Sequence, residues 1–107
     1  MELSERCIAQ FEKEGWPHIY EWQDKPGTVY PEHSHVGKVS LFVTEGSIDF
    51  TLDRITTNYK TGDRIDVPPA TPHSAIVGPD GVQFVVGEEW LNITLNDSLS
   101  IFMNMMK

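Results

Sequence analysis

The chain has 107 residues, 39% of them hydrophobic and 22% charged, with 8 basic against 16 acidic side chains and a net charge of −8. This is the length of one domain, with enough apolar content for a core and charges too dispersed for extensive disorder. The acidic balance, unrelieved by any basic stripe, argues against nucleic acid and against anionic membrane surfaces as partners.

Cys7 is the sole cysteine, so an intramolecular disulfide and a CxxC metal or redox site are both excluded. The acidic start MELSERCIAQ has no long apolar run, and no apolar stretch of about 18 residues follows. Neither a secretory leader nor a membrane span is expected, and the expected location is cytoplasmic. Asn92-Ile93-Thr94 fits a glycosylation sequon, which is read as chance without secretion.

In chain order, residues 4–14 read as a short helix with Ser4 as its cap, Cys7, Ile8 and Phe11 on one stripe and Gly15 as its stop. Trp16, His18, Tyr20 and Trp22 then alternate with other residues at strand spacing, which predicts aromatic packing on an outer sheet face or an interface, with a lining near a pocket mouth as the alternative. Lys25-Pro26-Gly27 makes a turn. Short strand signals follow: Val39/Leu41/Val43, Ile48/Phe50/Leu52, Ile55 to Tyr59, and Ile65/Val67. Glu45-Gly46 separates the first two of these. Arg64 and Asp66 fall on the solvated face of the last. Pro68, Pro69 and Pro72 break any ladder there. His73/Ala75/Val77 and Val82/Phe84/Val86 form two further alternating sets, with Gly78-Pro79-Asp80-Gly81 read as a chain reversal between them.

Frequent short strands punctuated by Gly and Pro predict an all-β sandwich or barrel behind one helix. The division expected is a single domain, 1–107, with a helix at 4–14, a barrel core at 16–95 and a C-terminal strand or dimer arm at 96–107. Leu91/Ile93/Leu95 and Leu99/Ile101/Met103/Met105 are apolar alternations that need covering, either by their own sheet or by a second copy in a homodimer. Trp90 is grouped with the outer or interface aromatics, and the methionines are read as apolar fillers. His18 is read as a surface or interface residue.

Three imidazoles carry the functional reading. His33 and His35 are two apart, and alternate residues of an extended strand project to one face. His73 follows the proline-rich corner and can reach the same point from a neighbouring strand. Three converging imidazoles are a metal-site pattern, and His33, His35 and His73 are the candidate ligands.

At these residues the chain resembles the cupin superfamily. The first motif of that family is Gly, five residues, His-x-His, three or four residues, Glu, six residues, Gly; Gly27, His33, His35 and Gly46 fall on it. The second is Gly, five residues, Pro-x-Gly, two residues, His, three residues, Asn; Gly62, Pro68 and His73 match, with Ala70 and Val77 replacing the Gly and Asn. The resemblance implies a small single-domain cupin: a jelly-roll β-barrel around a central site. The metal-binding glutamate of the pattern is missing, its place falling on Val39 or, by the other spacing, on Ser40. No carboxylate near the motifs, among Glu32, Asp63 and Asp66, reads as a replacement or a general base.

Three neutral imidazoles without a carboxylate keep the full charge of a divalent ion and suit Zn, Fe, Cu or Ni better than Mn or Mg. Zinc is the first choice, with iron or nickel behind it. The function expected is a metal-binding cupin that holds one divalent ion and binds or acts on a small molecule. If it is an enzyme, it is a dioxygenase or a metal-assisted hydrolase or lyase. The alternative is a non-catalytic ligand-binding or sensing module with no metal-dependent chemistry.

Overall fold

The computed structural model describes residues 1–89. The expected end of the barrel core to residue 95, the strand or arm at 96–107, and Trp90 lie outside the described residues.

The chain opens with α1, Leu3–Glu14. Its cap is Glu2 rather than Ser4: the Glu2 side chain accepts the Glu5 backbone N–H, and Glu5 Oε1 accepts the Glu2 N–H at 3.0 Å. This reciprocal box satisfies two orphan donors and leaves Ser4 inside the first turn. Gly15, at φ 85°, closes the far end in the left-handed region, as its position foretold. Among the described residues six strands follow: β1 His18–Asp24, β2 Val29–His33, β3 Val39–Leu52, β4 Ile55–Lys60, β5 Arg64–Val67 and β6 His73–Glu88.

β3 and β6 are long, and each serves two sheets. Residues 39–43 of β3 pair with β5 and with residues 84–88 of β6, which pair in turn with β1. Residues 48–52 of β3 pair with β4 and with residues 73–77 of β6, whose edge carries β2. The result is two antiparallel sheets, β1-β6-β3-β5 and β2-β6-β3-β4, facing each other in a jelly roll.

The expected break at Glu45-Gly46 and the expected reversal at Gly78-Pro79-Asp80-Gly81 are both corrected: the strands continue through them. Register shifts between Val43 and Glu45 and between Gly46 and Ile48 mark the passage. Bulges of this kind bend a strand from one sheet into the other without ending it. The crossing is tight. Gly46 has φ 80°, and a Cβ there would lie 2.0 Å from the Gly81 carbonyl oxygen.

Inward alternation changes parity across each bulge, from Val39/Leu41/Val43 to Ile48/Phe50/Leu52 and from His73/Ala75/Val77 to Val82/Phe84/Val86. These side chains form the core between the sheets, with Ile65 and Val67 from β5. On the outer face of the first sheet α1 lays Cys7 and Phe11 against Val85, with Ile19, Phe42 and Trp16 around them. Phe11 is fully buried. Burial also pushes the Cys7 thiol up, so it behaves as an apolar group.

Arg64 is not a solvated strand position. Its Nη1 and Nη2 donate to the two carboxylate oxygens of Glu14, both at 2.7 Å, and its Nε reaches Ser40 Oγ and Asp66 Oδ1 at 3.0 Å. The guanidinium also lies over the Phe11 and Phe42 rings at 5.2 and 5.1 Å. The end of α1 is thereby clamped to β5. Hydrogen bonds from Arg64, then from Gln10 and Trp16, hold the Glu14 carboxyl well below the usual range.

Candidate metal centre

β2 delivers His33 at its last residue, directly opposite His73 at the first residue of β6. His35 lies just beyond β2, where the chain makes an isolated bridge. Its carbonyl accepts the Ala70 N–H at 2.8 Å, which ties this loop to the proline-rich corner. Ala70 holds φ 55°, the left-handed conformation for which the family pattern uses glycine.

The rings meet. Their centroids are 4.3 Å apart for His33 and His73, and 5.0 Å apart for each pair that includes His35. One donor atom from each of the three lies within 4.8 Å of the others. Nitrogens that share one zinc at about 2.0–2.1 Å lie about 3.3 Å apart, so the three rings are gathered on the scale such an ion requires.

Two of the imidazoles are oriented by the same device. His33 Nδ1 bonds the Pro31 carbonyl at 2.7 Å, and His73 Nδ1 bonds the Thr71 carbonyl at 2.9 Å. A carbonyl only accepts, so in each neutral ring Nδ1 carries the proton and Nε2 keeps its lone pair. Phe50 stacks on the His73 ring with an interplanar angle of 13°. Burial, opposed by the Thr71 hydrogen bond and helped by His33, pulls the His73 pKa down to about 4. At neutral pH the ring is therefore uncharged, the form a ligand must have.

The imidazoles open onto a cavity of about 110 Å³ between the sheets, lined mainly by apolar and aromatic side chains. Tyr20 and Trp22 line it, which corrects the outer-sheet position expected first and agrees with the alternative of a pocket lining. Trp16 does pack outside, edge-on to Phe11 at 5.7 Å. It precedes β1, so the alternation of that strand does not extend to it. Among the two places open for the family glutamate, Val39 lines the cavity, while Ser40 faces α1 and donates to Asp66 Oδ1 at 2.5 Å. His18 stands at the start of β1, apart from the three-histidine cluster.

One functional candidate was missed. Glu88 is 3% exposed and lines the cavity, where it accepts a hydrogen bond from the Tyr20 hydroxyl. The signal was present, since Glu88 is the next inward position after Val82, Phe84 and Val86. Trp22 Nε1 and the Tyr30 hydroxyl converge on Asp24, the latter at 2.5 Å, on the β1–β2 side.

Two facing sheets enclosing a small cavity, with imidazoles gathered at one end, define a β-barrel of the jelly-roll class. The chain belongs to the cupin family: residues 20–87 match the family model described as Cupin domain. Solved structures agree in fold. KdgF from Halomonas sp. is 20% identical with a TM-score of 0.58, over 67% of each chain. An RmlC-like cupin from Shewanella frigidimarina is 22% identical with a TM-score of 0.61, over 68% of this chain and 66% of that one. The DMSP lyase DddQ from Ruegeria pomeroyi is 20% identical with a TM-score of 0.62, and the match spans 68% of this chain but only 38% of that protein. No curated sequence matches significantly. Among the described residues no helix is long and apolar enough to cross a membrane.

Proposed function

We propose that this cupin holds one divalent metal ion through His33, His35 and His73 and presents it to a small molecule in the barrel cavity. The observation that carries the reading is the clustering of three imidazole donor atoms within 4.8 Å, from two stretches about 40 residues apart in sequence. Zinc is the first choice on availability and tetrahedral geometry, with iron or nickel next. When bound, such an ion polarises a ligand oxygen or lowers the pKa of a bound water.

The chain's own residues do the rest. The Pro31 and Thr71 carbonyls fix the tautomers of His33 and His73, and Phe50 holds the His73 ring in plane. The apolar walls lower the local dielectric and strengthen polar contacts made against them. The cavity is somewhat smaller than the roughly 150 Å³ that admits a benzene ring, which limits the ligand to a compact molecule. A metal-assisted lyase or hydrolase reaction, or a dioxygenase reaction, is the enzymatic form of the proposal. The lyase among the structural relatives lends the first some support. A cytoplasmic homodimer belongs to the same proposal, and a monomer in light scattering would overturn that part.

Elemental analysis of untagged protein purified at neutral pH is the test. About one equivalent per chain is expected in the wild type, falling below about a tenth in His73→Ala. Wild-type protein below that level after incubation with zinc, iron or nickel salts sinks the reading and favours a metal-free ligand-binding module. For metal-loaded protein, oxygen uptake with small thiols or carboxylates separates the dioxygenase from the lyase or hydrolase form.

A further inference from the structure

Val39 stands where the family pattern has its metal-binding glutamate, and its side chain lines the cavity. Directly across the β3–β6 ladder, the residue paired with Val39 is Glu88. Opposed side chains of an antiparallel pair share a face, with Cβ atoms about 4.5–5.5 Å apart. Glu88 is also buried, and among the described residues it is the only carboxylate lining the cavity. A valine that faces the site on one strand is thus matched by a glutamate that faces the same site on the next.

Burying a carboxylate against apolar walls is costly unless a positive charge or hydrogen bonds offset it. Tyr20 supplies one hydrogen bond. Burial, and then the charge on Glu88, push the Tyr20 hydroxyl up, so the phenol keeps its proton and the carboxylate accepts it. The oxygens of Glu88 are not among the donor atoms that cluster with the three imidazoles. The carboxylate therefore lines the same cavity as the candidate centre without belonging to its ligand set.

Building on the metal-binding reading above, we propose that Glu88 is the relocated carboxylate of this site. It is the buried counter-charge for the ion held by His33, His35 and His73, and the hydrogen-bond acceptor for a small protic ligand at the ion's open position. Tyr20 is its positioning residue. Two positive charges on the ion against one negative charge on Glu88 leave one unit of positive charge in the cavity. The ligand class favoured is accordingly a compact molecule with a hydroxyl facing Glu88 and at most one negative charge; water is the simplest case.

Zinc affinity is the readout, measured by competition with a chromophoric chelator and zinc alone as the probe. Removing an outer carboxylate partner costs about 10- to 100-fold in metal affinity. Glu88→Gln is expected to weaken zinc binding by that amount while still taking one equivalent. The double variant Val39→Glu/Glu88→Gln returns the charge from the opposite strand and is expected to recover at least about tenfold of the loss. Glu88→Gln that binds within about twofold of wild type overturns the proposal and leaves the three-histidine reading intact. Wild-type protein that binds no zinc, or His73→Ala that binds as tightly as wild type, overturns the reading itself and this proposal with it. Should Glu88→Gln fail to fold, Tyr20→Phe, which removes the hydrogen bond that positions the carboxylate, decides alone: zinc affinity weakened by about tenfold supports the proposal, and affinity within about twofold of wild type overturns it.

Discussion

His73 makes the stability of the metal-free protein depend on pH in a defined window. Its pKa is about 4 in the fold against 6.5 for the free side chain, chiefly because burial disfavours the imidazolium. As pH falls through 6.5 the unfolded chain takes up a proton that the folded chain refuses, so stability decreases with falling pH. The contribution is fully present above pH 6.5, is lost progressively towards pH 4, and levels off below it. At about 1.4 kcal/mol per tenfold change in proton affinity, the loss attributable to this one residue is about 3 kcal/mol. The assay is urea unfolding of chelator-treated protein between pH 7 and pH 4, for wild type and for His73→Gln. Groups common to both proteins cancel in the difference. Wild type should lose about 3 kcal/mol more than the variant over that interval. Parallel pH curves would refute the claim that His73 is buried uncharged, and with it the account of a ligand-ready imidazole.

Three other outcomes follow from packing and backbone geometry. Phe11→Ala, which empties a fully buried site under α1, should cost about 3–5 kcal/mol in denaturant unfolding; a loss below about 1 kcal/mol would mean that the helix is not anchored there. Arg64→Lys keeps the charge but cannot grip both oxygens of Glu14 or stack on Phe11 and Phe42. Since the pair is partly solvated, a loss of only about 1 kcal/mol is expected, along with raised amide exchange in the last turn of α1. Gly46→Ala, at φ 80° with its Cβ driven against Gly81, should destabilise by at least about 2 kcal/mol; a neutral result would show that the strand crossing is looser than described.

Local pattern made much of this architecture legible. The helix and its glycine stop, the inward sets on each strand, and the three imidazoles are all short-range signals of spacing and parity. The errors share a cause. Gly46 and the Gly78–Gly81 stretch were read as breaks because glycine and proline punctuate turns and bulges alike, and only the partner strand tells the two apart. Arg64 was read as solvated because Glu14 is 50 positions away. Glu88 escaped for a similar reason: its importance comes from being opposite Val39, a relation set by strand pairing across the whole domain. For Tyr20 and Trp22 the outer face is the first reading and the pocket the second, because Trp16, which precedes the strand and packs outside, shares their spacing.

The two-sheet membership of β6 also bears on how the molecule is made. This strand hydrogen-bonds to β1, β2 and β3, so it is the common neighbour of most of the barrel. It follows all of them in the chain. During synthesis, the earlier strands must therefore wait on the ribosome with unpaired edges until residue 88 has emerged. Such long-range closure is slow and leaves nascent chains open to mispairing. A chaperone that holds extended segments would have its greatest effect on yield in that interval, before β6 threads between its neighbours.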